Sequence, residues 1–312
     1  MNRTSLTRYA WLSIGAAVLT IALKTGAWLV TDSVGLLSDA LESVVNLAAG
    51  IFALVMLTVA ARPPDEDHMF GHDKAEYFSS AIEGGLIVIA AVGIGIPAIN
   101  RLSAPHPIEQ VDLGLVLSGI ASVINLIVAR ILLRVGKEER SLTLEADGHH
   151  LMADVWTSVG VLVAIGAVVL TGWNILDPLI GLAVALHIIG SGARLVWRSA
   201  HGLMDKAIPE EDRGEIETIL NSYQDQDVDY HALRTRQAGG RSFVSFHLLV
   251  PGKWTVQRGH DLAEEIEEKI RSTQPSGTSV FIHLEPVEDP LSWDDVELYR
   301  EGLGGGKEER RG

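Results

Sequence analysis

Residues 146–171 read ADGHHLMADVWTSVGVLVAIGAVVLT. The stretch is long and apolar enough to cross the hydrocarbon core of a membrane as a helix, for which about 20 residues suffice. Its first half nevertheless contains the ionisable residues Asp147, His149, His150 and Asp154. Such residues are rare inside membrane spans and mark ion pathways by default. This segment therefore predicts a helical membrane protein and the region of its functional site.

Stretches of similar length and low charge cover residues 9–30, 37–60, 79–102, 112–134 and 178–198. The breaks between stretches contain turn or charge signals, for example Pro63-Pro64 and the charged run over residues 137–140. No small-residue cleavage site follows the first stretch, so we interpret it as a retained span and not as a signal peptide. Residues 1–206 are predicted to form a transmembrane domain with six helices, and the lipid bilayer is then a partner.

Basic residues around these spans indicate their orientation. Those before span one, between spans two and three, between spans four and five, and after span six are Arg3, Arg8, Arg62, Lys74, Arg134, Lys137, Arg140, Arg194, Arg198 and Lys206. The opposite loops have almost none apart from Arg101, near the end of span three. The positive-inside rule then places both termini in the cytoplasm. Compact loops and the absence of a transit signal suit a bacterial inner membrane.

Composition excludes several classes of protein. The chain has 312 residues, 47% of them hydrophobic, and a formal charge of −15 from 25 basic and 40 acidic side chains. A general nucleic-acid binder needs the opposite charge. The chain has no cysteine, which excludes disulfides, thiolate ligands and cysteine nucleophiles. Residues 201–312 hold 13 basic and 23 acidic residues, which indicates an acidic soluble domain after the spans.

The C-terminal sequence predicts a small two-layer α+β domain over residues 207–290. A helix begins at Pro209-Glu210-Glu211-Asp212, strands cover 231–237 and 241–250 around a Gly239-Gly240 hairpin, an amphipathic helix covers 257–272, and a last strand covers 278–284. The order is αββαβ. Residues 291–312, with three successive glycines and alternating charge, are predicted to be a flexible tail.

Two spans contain matched pairs of polar side chains. Glu42 and Asn46 in span two are four residues apart, as are His150 and Asp154 in span five. This spacing puts both members of a pair on one face of a helix, and two such faces can enclose a tetrahedral cation such as zinc, which accepts imidazole and carboxylate ligands. The competing interpretation is that these groups only join helices by hydrogen bonds. The matched spacing favours the metal.

Histidines outside the spans supply further candidate ligands. Asp65, His68 and His72 in the loop after span two have a spacing that can surround one metal, although solvated loop histidines are the alternative. The C-terminal domain contains His231, His247, His260, His283 and Glu285. Because side chains alternate along a strand, His283 and Glu285 point to the same face. Scattered histidines are common in soluble domains, so these alone are a weak signal.

Several motifs together resemble one family of transporters. They are TDSVGLLSDALESVVNLAAG (31–50), HMFGHDKAEYFSSAIEG (68–84), EADGHHLMADVWTSVGVLVA (145–164), ALRTRQAGGRSFVSFHLLV (232–250) and FIHLEP (281–286). The combination is similar to the cation diffusion facilitator (CDF) family over roughly residues 8–287. The resemblance implies a homodimeric, proton-coupled exporter of divalent metal, not an enzyme, with six transmembrane helices and a ferredoxin-like αββαβ cytoplasmic domain.

The resemblance also implies the ligand sets. The transport site falls on Glu42, Asn46, His150 and Asp154. The loop site falls on Asp65, His68 and His72. The cytoplasmic site falls on His231, His247, His260, His283 and Glu285.

This chain departs from the family pattern in span two. The familiar first ligand is Asp or His and the second is Asp, whereas here they are Glu42 and the neutral Asn46. Asp39 is common in the family motif as a non-ligand. The resemblance further suggests an ion pair between Lys74 of one protomer and Asp205 of the other.

The resulting hypothesis is alternating access with exchange of metal for protons. Metal ligands must be deprotonated, so binding releases protons. Zinc is the first candidate cation, and iron, cobalt and cadmium are the others. Metal in the cytoplasmic domains is expected to bring them together. The rivals are a membrane metal sensor or scaffold without transport, and an intramembrane metallohydrolase, for which no His-Glu-x-x-His pattern is present.

Overall fold

The computed structural model describes residues 6–31, 34–103, 113–173, 175–224, 227–274 and 277–293. The chain separates into two compact units, Met1–Met204 and Asp205–Gly312. The first unit is helical and the second contains a small sheet. The terminal segment 294–312, for which a flexible tail is predicted, lies outside the described residues.

The first unit consists of long, apolar helices. They are α1 (Thr7–Thr31), α2 (Val34–Ala60), α3 (Ala75–Ser103), α4 (Leu113–Glu138), α5 (Leu142–Thr171) and α6 (Leu176–Leu203). By length and composition, α1, α3, α4 and α6 each contain a described segment able to cross a membrane. The described apolar part of α2 is the shorter segment Asn46–Ala60. The predicted architecture of six helices is confirmed.

Several helices extend beyond the predicted spans, because hydropathy marks only their apolar parts. The last turn of α4 is polar and has an i, i+4 ion pair, in which Arg134 Nε lies 2.8 Å from Glu138 Oε1. α5 begins after Ser141, whose hydroxyl accepts from the amide of Leu144 at 3.5 Å. It ends at Gly172, whose φ of 73° is left-handed and whose amide donates to Val168.

Glu76, at the start of α3, fixes the start of α5. It is completely buried. Its carboxylate accepts from the hydroxyl of Ser141 and, at 3.3 Å, from the backbone amide of Thr143. A carboxylate at a helix N-terminus accepts hydrogen bonds from amides that have no partner within the helix, and its negative charge interacts favourably with the positive end of the helix dipole. The contact holds α3 and α5 in register at this end of the unit.

Helices α3 and α6 pack at backbone distance where two glycines face each other. A Cβ added to Gly84 would lie 2.9 Å from the carbonyl oxygen of Gly192, and one added to Gly192 would lie 2.7 Å from that of Gly84. Real Cβ atoms do not approach so closely, so neither position has room for a side chain. Small residues of this kind allow close contact between helices in a membrane.

The second unit has the predicted αββαβ order. It contains α7 (Glu210–Asn221), β1 (Asp229–Ala238), β2 (Arg241–Val250), α8 (Val256–Thr273) and β3 (Ser279–Pro286). The sheet order is β1-β2-β3, with β1 antiparallel to β2 and β3 parallel to β2. A short 3-10 turn, Pro290–Trp293, follows. The predicted α+β fold class is confirmed.

The core of the second unit lies between the two helices and one face of the sheet. Alternate residues of β2 enter it, including Val244, Phe246 and Leu248, together with Ile216 of α7 and Ile266 of α8. Side chains at the intervening positions of β2, such as His247, therefore point to the face that the helices do not cover.

Candidate metal centres

Polar side chains from α2 and α5 meet inside the first unit. Asn46 and His150 are both buried, with 7% and 6% of their surfaces exposed. His150 Nε2 lies 2.6 Å from Asn46 Oδ1, and Asn46 Nδ2 donates to Asp154 Oδ2 at 2.5 Å. The Asn46 amide therefore bridges the imidazole and the carboxylate of the α5 pair.

A cavity of about 420 Å³ adjoins these three side chains. Its wall combines them with Thr157 and with apolar residues of α3 and α6. One water molecule needs about 30 Å³, so the volume accommodates a cation together with several waters. A few convergent polar groups in an apolar cavity are typical of a binding site.

The helical repeat separates the ionisable side chains of α5. Asp147 accepts a hydrogen bond from Ser13 of α1 at 3.0 Å. His149 Nδ1 lies 3.3 Å from the hydroxyl oxygen of Ser191 in α6. Neither residue lines the cavity, whereas His150 and Asp154 do.

Glu42 is the remaining residue of the predicted transport site. It lies in α2, one turn before Asn46. Its side chain, like that of Asp39, lies outside the described part of the structure. The role of Glu42 as a ligand therefore stays a prediction.

The loop between α2 and α3 brings Asp65, His68 and His72 together. His68 Nδ1 lies 3.3 Å from Asp65 Oδ1, and His72 Nε2 lies 3.2 Å from Asp65 Oδ2. Ligand atoms of the three side chains lie within 4.8 Å of one another. The backbone amide of His68 donates to Asp65 Oδ1 at 2.7 Å, and this bond is the main cause that lowers the pKa of Asp65. A carboxylate that stays ionised beside two imidazoles is a suitable metal ligand.

In the second unit, three histidines align across the sheet. His231 of β1 is paired with His247 of β2 in the antiparallel ladder, and His247 is paired with His283 of β3 in the parallel ladder. Ring centroids of neighbours in this row are 4.9 Å apart in both cases. The strand register therefore builds one row of imidazoles.

Glu285 connects the members of this row. Its Oε2 lies 3.0 Å from His231 Nε2 and 3.3 Å from His247 Nδ1, while its Oε1 lies 3.4 Å from His283 Nδ1. The predicted common face of His283 and Glu285 is thus observed. His231, His247 and Glu285 offer ligand atoms within 4.8 Å of one another. The ring of Trp293 lies beside His231, with 6.0 Å between centroids.

His260 is not brought into this group. It lies in α8 and is exposed, and the three-ligand groups found among the described residues are the loop triplet and the group around Glu285. Lys74 and Asp205 have partners within their own units. Lys74 Nζ donates to the Leu203 carbonyl at 3.4 Å, and Arg236 donates to Asp205 at 3.2 Å. Their ion pair between protomers stays a prediction.

Sequence reasoning missed two buried polar residues of the first unit, one of which contacts the predicted transport site. Asn125 of α4 is 3% exposed and donates from Nδ2 to Asp154 Oδ2 at 3.2 Å. Glu83 of α3 is completely buried, and its neighbour Ser79 donates to it at 3.2 Å. A polar residue inside an apolar span is a detectable signal in both cases. Asn125 has no polar residue at a spacing of four, and Glu83 has only Ser79, which is not one of the usual zinc ligands.

Comparison with protein families agrees with this arrangement of units. Residues 10–204 match the model of the cation efflux transmembrane domain, and residues 208–287 match that of the cation efflux protein cytoplasmic domain. The chain belongs to the cation efflux family. The predicted resemblance to CDF metal transporters is thereby confirmed, as is the expectation that the protein is not an enzyme, because this is a family of transporters.

Similar proteins extend over almost the whole chain. The uncharacterized transporter sll1263 of a Synechocystis strain is 53% identical over 285 residues, which cover 91% of this chain and 92% of the relative. The cation-efflux pump FieF of Citrobacter koseri is 31% identical over 289 residues, covering 92% and 95%. That of Klebsiella pneumoniae is 30% identical over 281 residues, covering 90% and 93%. This cation efflux protein is therefore an integral membrane transporter of cations.

Proposed function

We propose that the protein exports a divalent transition metal, with zinc as the first candidate and iron, cobalt or cadmium as the others, in exchange for protons and by alternating access. The observation that carries the proposal is the convergence of Asn46, His150 and Asp154 on the cavity between the helices. An imidazole nitrogen and a carboxylate oxygen are ligands that zinc accepts readily. In span two this chain has Glu42 and the neutral Asn46 where the family pattern has Asp or His and then Asp, and for this reason iron, cobalt and cadmium stay in the proposal.

The contact between His150 and Asn46 indicates which proton a bound cation would replace. His150 Nε2 and Asn46 Oδ1 face each other at 2.6 Å, so one proton lies between them. A cation that binds both atoms takes the place of that proton: a neutral imidazole then carries its proton on Nδ1, and a protonated imidazole releases one. Asp154 must also be ionised to act as a ligand. Binding of metal therefore releases a proton from each of these groups that is protonated beforehand, and protons on the far side compete for the same atoms.

We further propose that the protein works as a homodimer with both termini in the cytoplasm. The acidic composition of residues 201–312 makes two such domains repel each other. A divalent cation at the histidine row would offset this repulsion and favour their association. Metal in the row would shift the equilibrium between the inward-open and outward-open states only if the row binds metal more tightly in one of these states.

Flux measurements in proteoliposomes test the proposal. The full chain is reconstituted, and uptake of Zn²⁺, Fe²⁺, Co²⁺, Ni²⁺, Cd²⁺ and Mn²⁺ is followed with an internal metal dye and an internal pH dye. We expect saturable uptake of at least one cation, with proton movement in the opposite direction.

Other outcomes contradict the proposal in distinct ways. Binding without flux would make the protein a sensor or scaffold. Flux without proton movement would remove the exchange mechanism and leave a uniporter. The His150→Ala protein, in which the imidazole is absent, serves as the negative control for dye leakage.

A further inference from the structure

Asp154 receives hydrogen bonds from two amides on one and the same oxygen. Asn46 of α2 donates to Asp154 Oδ2 at 2.5 Å, and Asn125 of α4 donates to it at 3.2 Å. The two donors come from different helices, so the position of this oxygen is fixed from two sides. Asn46 lines the cavity and Asn125 does not.

Asn125 is an unusual residue for its surroundings. α4 buries apolar residues around it, among them Ala121, Val128 and Ala129. Burial of an amide in such surroundings costs free energy unless its polar atoms are paired. Its Oδ1 nevertheless has no hydrogen-bond partner in the described part of the chain. Packing of α4 alone gives no reason for an amide here, whereas the bond to Asp154 does.

The hydrogen bond from Asn125 affects how many oxygens Asp154 can offer to a cation. Under the proposed function Asn46 becomes a ligand when a cation binds, and its amide would then turn from Asp154 toward the metal. Asn125 does not line the cavity, so it would remain bonded to Asp154 Oδ2. A carboxylate held in this way offers one oxygen to a cation. Tetrahedral zinc accepts single carboxylate oxygens, whereas larger cations with more ligands often take both.

We propose that Asn125 is a positioning residue that keeps Asp154 a one-oxygen ligand and so favours small tetrahedral cations over larger ones. This inference rests on the proposed function, since it concerns the same transport site. Outer hydrogen bonds of this kind typically change metal affinity by roughly 10- to 100-fold when they are removed.

The test compares transport of Zn²⁺ and Mn²⁺ by the full chain in proteoliposomes. Asn125→Leu keeps the branch at Cγ and the number of side-chain heavy atoms and removes the donor. We expect the KM for Zn²⁺ to rise at least tenfold and the KM for Mn²⁺ to rise less or to fall, so that the preference shifts toward Mn²⁺. Asn125→Thr retains a donor hydroxyl and should recover part of the zinc preference.

A matched control lies one turn away on α4. Ser122 donates to Ser158 of α5 at 2.6 Å and thus joins the same two helices. Ser122→Ala removes a hydrogen bond between α4 and α5 without removing the donor to Asp154. The ratio of the two KM values should stay as in the wild type. Equal shifts in Ser122→Ala and Asn125→Leu would show that only helix packing matters, and would overturn the inference.

A second measurement needs no Asn125 variant. Infrared difference spectra of the wild-type protein with and without Zn²⁺ report the splitting of carboxylate stretches, and subtraction of the Asp154→Asn spectrum isolates Asp154. A wide splitting, typical of one-oxygen ligation, supports the inference, and a narrow one contradicts it. If the wild type transports no cation, the proposed function fails as well. If it transports and the Asn125 variants match it, only the role of Asn125 falls.

Discussion

The candidate transport site and the histidine row contain similar candidate ligands but are assembled by different rules. In the membrane unit, His150 and Asp154 lie on one helix face because they are four residues apart. In the cytoplasmic unit, the three histidines come from three strands, and only the register of the sheet makes them neighbours. One site follows from a local repeat and the other from long-range pairing.

The surroundings of the two groups also differ. His150 is buried in an apolar helix bundle, where an uncompensated charge is costly. In the row, the side chain of His283 is 67% exposed and Glu285 is only 13% exposed. A cation in the membrane unit must therefore satisfy nearly all of its ligation from protein or trapped water. A cation at the row can retain several solvent ligands, so we expect substitutions in the row to have smaller effects.

Asp154→Ala tests the membrane side of the comparison and should have the largest effect. It removes the carboxylate on which Asn46 and Asn125 converge, so we expect metal flux in proteoliposomes to disappear. Size-exclusion chromatography and thermal unfolding should show a folded protein. Ser158→Ala, one turn further along α5, is the control and should transport. Normal flux in Asp154→Ala would exclude this region as the transport site.

Asn46→Asp should have the next largest effect. A second carboxylate cannot donate to Asp154 as the amide does, so the cation-free site would need a proton between the two groups. The added charge should raise cation affinity in the apolar site, by at least about tenfold, or about 1.4 kcal/mol. It should also make uptake depend more steeply on pH. KM values at several pH values measure both effects. If they are unchanged, Asn46 does not contact the cation.

Glu285→Gln tests the cytoplasmic side. The isolated residues 205–312 include the core around Phe246 and Ile266, and zinc should raise their melting temperature. Binding to the folded state alone stabilises by roughly 2.7 kcal/mol at a hundredfold excess over Kd. Glu285 approaches all three histidines of the row, so its substitution should remove most of this gain. His260→Ala, on α8 and outside the row, should retain it. If Glu285→Gln instead keeps the gain and His260→Ala loses it, zinc binds at His260 and not at the histidine row.

Asp65→Asn in the loop triplet should have the smallest effect on flux. The residue is exposed, and the low pKa of its carboxylate, caused mainly by the His68 amide, keeps it ionised at neutral pH. The ionised Asp65 carboxylate contributes to the stability of the folded state. This contribution is present above the pKa that Asp65 has in the unfolded chain, and it is lost as the pH falls through the lower pKa of the folded state. We expect weaker zinc binding at the loop, measured by calorimetry, with flux nearly unchanged. A loss of flux as large as that of Asp154→Ala would make the loop part of the pathway.

The sequence allowed prediction of those features that depend on local repeats. The six spans and the pairing of His150 with Asp154 follow from hydropathy and from a spacing of four. The αββαβ order follows from alternating strand and helix patterns. Asn125 was missed because its contact with Asp154 depends on how α4 and α5 are rotated against each other, which no local pattern specifies. The grouping of His231 with Glu285, 54 positions away, depends in the same way on the order of strands in the sheet.

The contact between Gly84 and Gly192 has a mechanical consequence. Because the backbones of α3 and α6 touch there with no side chains between them, neither helix can slide past the other without a clash of carbonyl groups. We expect α3 and α6 to move as one rigid pair. The cavity is lined by this pair on one side and by α2 and α5 on the other. A change in the width of the cavity then requires α3 and α6 to tilt together, with the apolar side chains along α3 as the contact surface.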